Sequence, residues 1–306
     1  MKMPALKSPD PKTVVLLFHW QASWIGLLAV AASLASLAWY ATAVRRLALA
    51  RATGVAATRK WSPYTTASFV VGVLLLAYVF DGGISFYQRD NFTTHMVQLL
   101  LLAYVVPPLL AAGSPLRLVL LTSRGVAGRG LVRFLHSGWA RLVLHPATGF
   151  VATLATLYVY LLTPIYAASE HHPVLLGYAH LQLLVASSLM WWAIVGRDAL
   201  PRAIGFGWRF ALVFASIPFI GFLGVDIAAV PSPLYPGGNT LADTHQGANV
   251  LWALGVLFVV TALTYLFIEW AREEQRRADR ADRQLDAALV AARSVSPPPG
   301  PSAGGV

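Results

Sequence analysis

The sequence predicts an all-α polytopic membrane protein, a bundle of seven transmembrane helices, on three observations. Of 306 residues, 57% are hydrophobic and only 12% charged, against roughly half and a quarter in a soluble domain, too much apolar surface for one core to hide. Seven long uncharged stretches separate the charged residues, most of them at or above the ~18–20 residues a helix needs to cross a bilayer. The basic residues gather in alternate connections, as they do in multi-pass chains.

The first stretch, 13–44, is too long for a removed leader and reads as a signal-anchor-like span. Arg45, Arg46, Arg51, Arg59 and Lys60 follow it. The second and third spans are 61–80 and 91–116, and the third carries Pro107 and Pro108 in its middle. The next connection holds Arg117, Arg124, Arg129, Arg133 and Arg141; its mix of apolar residues, arginine and glycine predicts short amphipathic segments along the inner interface. Spans four and five are 142–169 and 171–196, followed by Arg197, Arg202 and Arg209. The sixth, 210–225, reaches Val230 with Asp226 near its end, where an acid meets the interface at modest cost. The seventh is 244–268.

Nineteen of the 23 Lys and Arg residues then lie on one side, and the other keeps Lys2, Lys7, Lys12 and Arg89. The basic side is cytoplasmic by the positive-inside rule, so the N-terminus is outside and the C-terminus inside. This divides the chain into an N-terminal extracytoplasmic tail (1–12), a seven-helix transmembrane domain (13–270) and a charged cytoplasmic tail (271–306), helical until Ser296-Pro297-Pro298-Pro299-Gly300 and disordered after it. The net charge of +10 is explained by this sorting, and no nucleic-acid partner is implied.

The chain has no cysteine, which excludes disulfides, thiolate metal sites and cysteine nucleophiles. Histidines stand near the start of every span that runs inward: His19, His95, His180 and His245. At ~1.5 Å per residue, His19 and His180 lie roughly 10 Å below the outer mouth. Met96, Gln98, Gln182, Asp226 and Asp243 are further candidate ligands or supports nearby. Imidazole, thioether and carboxylate without thiolate suit copper, and suit zinc or iron less distinctively. A lone histidine at a membrane interface is more often a hydrogen-bonded polar group, and the four starts together are what favour a shared metal. The tryptophans and tyrosines near span ends, such as Trp20, Trp61, Tyr64, Trp191, Trp192 and Trp270, read as an aromatic belt.

Other classes compete with a metal carrier. A retinal protein needs a lysine in its last span, and none follows Lys60. A membrane cytochrome needs two axial histidines at matched depth, which His19 and His180 supply. A coupled transporter needs charge near the midplane, where this chain has almost none. No activated nucleophile, acid–base pair or cofactor fingerprint points to an enzyme.

Several segments in order carry a family resemblance. They are Thr94-His95-Met96-Val97-Gln98 and Pro107-Pro108-Leu109-Leu110-Ala111-Ala112-Gly113-Ser114-Pro115 in span three, Leu144-His145-Pro146, and Tyr178-Ala179-His180 leading through Trp192 to Val195-Gly196-Arg197-Asp198-Ala199-Leu200-Pro201. Ile217-Pro218-Phe219 with Gly224, and Leu241-Ala242-Asp243 with Trp252, complete the set. From about Arg45 into the tail, the chain resembles the CtaG-type cytochrome c oxidase assembly factors, integral membrane proteins associated with copper insertion. The resemblance implies a multi-pass protein of a prokaryotic plasma membrane that transiently binds Cu(I) and helps insert it at the outer face. Its partners would be haem–copper oxidase subunits, the lipid bilayer and an extracytoplasmic copper donor. His95 and Met96 would be primary ligands, His180 their partner from span five, and Asp243 with His245 a gate or a supporting polar layer at the mouth; His19, ahead of the resembling stretch, is a further candidate ligand from its position alone. Leu99, Gln182 and Ile220 stand where the family pattern usually has further histidines, and Val256 where an acid is often seen. Those departures motivate the alternative, a divergent scaffold or accessory subunit of a respiratory oxidase that binds no copper.

Overall fold

A computed structural model describes Trp20, 23–54, 60–88, 91–122, 126–195, 204–234 and 240–295. Among the described residues it is helical and has no strand. The helices are α1 (Trp24–Ala52), α2 (Pro63–Asp81), α3 (Gly83–Tyr87), α4 (Phe92–Leu100), α5 (Val106–Ala112), α6 (Pro115–Thr122), α7 (Val126–Leu135), α8 (Gly138–Val143), α9 (Pro146–Leu162), α10 (Ile165–His171), α11 (Pro173–Val195), α12 (Phe206–Ala228) and α13 (Leu241–Val295). Among the described residues six helical segments are long and apolar enough to cross a membrane, and seven if the bent pair α9–α10 counts as one span. The protein is an all-α, multi-pass bundle. Large apolar side chains such as Leu27, Leu28, Val151, Phe214 and Phe222 face outward, as a hydrocarbon surround requires of helices whose backbone groups bond internally.

Three elements depart from straight spans, each for a reason in the chain. The helix of span one begins at Trp24 and continues past Arg45 and Arg46 to Ala52, because arginine is a good helix former and its charge ends the membrane segment without ending the helix. Span three is α4, a π-helical turn at Leu101–Val105, and α5. Pro107 has no N–H, so the carbonyl four residues back, on Ala103, loses its donor. The Trp191 indole on α11 supplies one at 2.7 Å, and Ser187 Oγ bonds Leu102 O at 3.1 Å. Trp191 is therefore a buried tie between spans and not part of the aromatic belt. Span four breaks by 73° between α9 and α10, at Pro164, with Thr163 extended at φ −121° and ψ 167°. A residue before proline avoids the helical region, and that places the break here.

Residues 1–260 and 261–306 form two units. In the first, α9 packs extensively along α11 and α1 along α2. Gly149 lets the first pair close, since a Cβ there would meet the Met190 and Leu189 backbone at under 3 Å. At the end read as cytoplasmic, Tyr40 stacks on Phe69 at 4.1 Å and donates to Gly113 O at 2.8 Å, joining α1, α2 and the break after α5. Ser114 there has φ 50°. The expected interfacial connection forms three short helices, α6 to α8, with Phe134 and Trp139 exposed. In the second unit, the part of α13 beyond Val260 carries exposed pairs of Glu273 with Arg276 at 3.4 Å and with Arg277 and Arg280 at 3.8 Å; such pairs stabilise a solvated helix only slightly.

Candidate functional site

The amino-terminal ends of α4 and α11 bring two histidines together. Asn91 caps α4, its side chain accepting from Thr94 N at 2.7 Å. A second cap comes from α13: Asp243 accepts from Phe92 N at 2.6 Å, Thr93 N at 3.2 Å and Thr93 Oγ1 at 2.7 Å. A carboxylate over the free N–H groups and positive end of a helix is favourable on both counts. Span three is thereby held at the turn that carries His95.

His95 is fully buried and His180 3% exposed. Their ring centroids lie 5.6 Å apart. His95 Nδ1 is 2.8 Å from Gln88 Oε1; an amide oxygen only accepts, so Nδ1 carries the proton and Nε2 keeps its lone pair, a tautomer assigned from the partner. Among the described residues neither His95 Nε2 nor His180 Nε2 has a hydrogen-bond partner, and both are buried. Gln98, one turn below His95, donates to Val79 O at 2.7 Å and leaves its own buried Oε1 without a partner.

Aromatic rings wall the pair. Tyr166 and Tyr160 lie 5.1 and 5.7 Å from His95, centroid to centroid, and Phe80 meets His180 edge-on at 6.2 Å. The break at Pro164 makes this wall, because it turns α10 so that Tyr166 reaches His95 and Ser169 Oγ lies 3.0 Å from the Tyr160 hydroxyl. Polar atoms in such surroundings are costly unless satisfied. Two imidazole lone pairs, with one ring oriented by a carbonyl-type acceptor, could serve as nitrogen ligands to a borderline or soft cation.

The other expected residues go elsewhere. Met96 is fully buried but lies round the helix from His95 and packs on α13, its Cγ 3.3 Å from where a Cβ on Gly247 would stand. Asp243 is occupied as the cap of α4. His245 is half-buried with Nε2 3.2 Å from Val230 O, tying the start of α13 to the end of α12. Gln182 and Asp226 are exposed. His19 lies outside the described residues. Among the described residues no group of three or more His, Asp or Glu side chains is placed to hold a metal, so the meeting of side chains is His95 with His180. Gln88, Tyr160 and Tyr166 were not legible as site residues; the one signal was Pro164, which marks the break that brings Tyr166 in.

An uncharacterized protein of Mycobacterium bovis and one of Mycobacterium tuberculosis are each 30% identical over 261 residues, covering 78% of this chain and 40% of theirs. One of Mycobacterium leprae is 26% identical over 298 residues, covering 91% of this chain and 43% of its own. The chain thus spans about two fifths of the length of the curated relatives it matches. No solved structure matches it. Residues 38–273 match the family model described as cytochrome c oxidase caa3 assembly factor, a stretch that contains His95, His180, Gln88 and Asp243. By that match, the chain belongs to the caa3-type cytochrome c oxidase assembly factor (CtaG) family.

Proposed function

We propose that this protein is an assembly factor for a haem–copper cytochrome c oxidase, holding Cu(I) transiently between His95 and His180 and passing it to the oxidase at the outer membrane face. The observation that carries this reading is the buried pair itself: two rings from different spans, 5.6 Å apart, each with an unpartnered Nε2. Cu(I) is the cargo, and it suits nitrogen donors in a site without thiolate. Gln88 orients His95, while Tyr160, Tyr166 and Phe80 keep water from the metal. Met96 and Asp243 serve the architecture of span three, and His245 the joint between α12 and α13. The role is one of binding and hand-over and not of catalysis.

Among the described residues two histidines meet, where three or more ligands would make a tight resident site. That favours a transient carrier, and it is also what the scaffold reading would expect. The experiment that separates them is oxidase copper content in cells carrying His95→Ala with His180→Ala. The carrier reading expects the oxidase to lose copper and activity while the variant protein remains in the membrane. Unchanged oxidase copper would leave the scaffold reading standing.

A further inference from the structure

Resting on the reading of His95 and His180 as the Cu(I) pair, the route of the ion can be sought in the cavity beside them. A cavity of about 280 Å³ lies among the start of α1, the α2–α3 turn and the start of α11, lined among others by Ser23, Trp24, Ser85, Gln88, Gly177 and His180. His180 lines it and His95 does not. Gln88 belongs to both, facing the cavity and accepting from His95 Nδ1 at 2.8 Å. The wall is mostly apolar but is interrupted by Ser23, Ser85 and Gln88. Behind Ser23 sits the buried Asp81 carboxylate, accepting from Ser23 N at 3.3 Å and Ser23 Oγ at 3.5 Å. Gly26 makes room for that acid, because a Cβ there would overlap it. At ~30 Å³ per water, the space takes a small hydrated or singly ligated ion and is far too small for a protein loop.

We infer that this cavity is the passage by which Cu(I) enters and leaves, with His180 the ligand met first and Gln88 the residue that positions His95. The cargo then arrives as a small Cu(I) species released by its donor, because the space takes a hydrated or singly ligated ion and not a loop of a folded partner. A plug in the passage raises the barrier for entry and exit together without changing the energy of the bound state, so exchange slows while affinity holds.

The absence of cysteine makes the test clean. In the full-length protein reconstituted in vesicles, a single Ser85→Cys thiol should react with a membrane-impermeant methanethiosulfonate reagent. A Ser187→Cys thiol, buried on α11 away from the cavity, should not. The labelled Ser85→Cys protein should capture and release Cu(I) about tenfold or more slowly than the unlabelled one, at the same equilibrium affinity. Gln88→Leu should weaken Cu(I) binding by about 10–100-fold, and Gln88→Glu, which keeps an acceptor for Nδ1–H, should recover most of it. A Ser85→Cys thiol that stays unlabelled, or a labelled protein that exchanges Cu(I) at the unlabelled rate, overturns the passage. Failure of the unmodified protein to bind Cu(I) overturns the pair itself, and thiol labelling still reports whether the cavity is open.

Discussion

His95 and Gln88 show how a single hydrogen bond decides what an imidazole can do. With Nδ1 given to an amide oxygen, the remaining nitrogen keeps its lone pair and has no partner among the described residues. His95 and His180 were legible in the sequence because each opens a span on the same side, and depth along a helix follows from counting. Their distinction from His245 was not legible, since all three share that signature and only the packing of α12 and α13 sends His245 to the Val230 carbonyl. Asp243 has a role that spacing alone could not reveal: it lies two residues from His245 in the chain yet serves the first turn of α4. Asp243→Ala should lower the stability of the detergent-solubilised protein by about 0.5–2 kcal/mol, the range for loss of a helix cap, read as a lowered midpoint of unfolding. Asp243→Asn should lie between the two. Wild-type stability in Asp243→Ala would contradict the capping role.

At the scale of elements, the spans were readable from hydropathy and their breaks only from proline, which the sequence shows without saying where the freed carbonyl goes. Pro107 and Pro108 read as a kink. The structure turns that kink into a π-helical turn whose loosened carbonyls are taken up by Ser187 and Trp191 of α11. Inside a bilayer no water substitutes for such a donor, so the tie fastens the two helices that carry His95 and His180. Replacing Trp191 with Phe keeps most of the apolar bulk and leaves Ala103 O without its donor. We expect a loss of about 1–2 kcal/mol and weaker Cu(I) binding, both measurable on the purified protein. The same change at Trp139, which is 77% exposed, should stay within about 0.5 kcal/mol. Equal effects at the two positions would show that the Trp191 bond contributes nothing to the bundle.

For the whole molecule, composition and charge sorting were enough to establish class, because an apolar chain with few charges has one stable surrounding and helices are its simplest way to fill it. The family was legible from motifs in the right order, and the match over residues 38–273 bears it out. The site was legible in part: two histidines could be marked, while the aromatic wall, the orienting amide and the passage arise from contacts between residues far apart in sequence. The departures at Leu99, Gln182 and Ile220 also take on physical meaning. Leu99 and Ile220 are buried apolar side chains, and Gln182 faces outward, leaving a two-histidine pair that suits brief custody of a metal better than storage.

The most direct test of that claim is the Cu(I) content and affinity of the purified full-length protein, measured by competition with a chromophoric chelator, beside the His95→Ala, His180→Ala double variant. The account predicts about one Cu(I) per chain, as expected for a single pair of nitrogen ligands, absent from a variant that is otherwise folded. No Cu(I) above background in the unmodified protein, or equal binding in both, would contradict it.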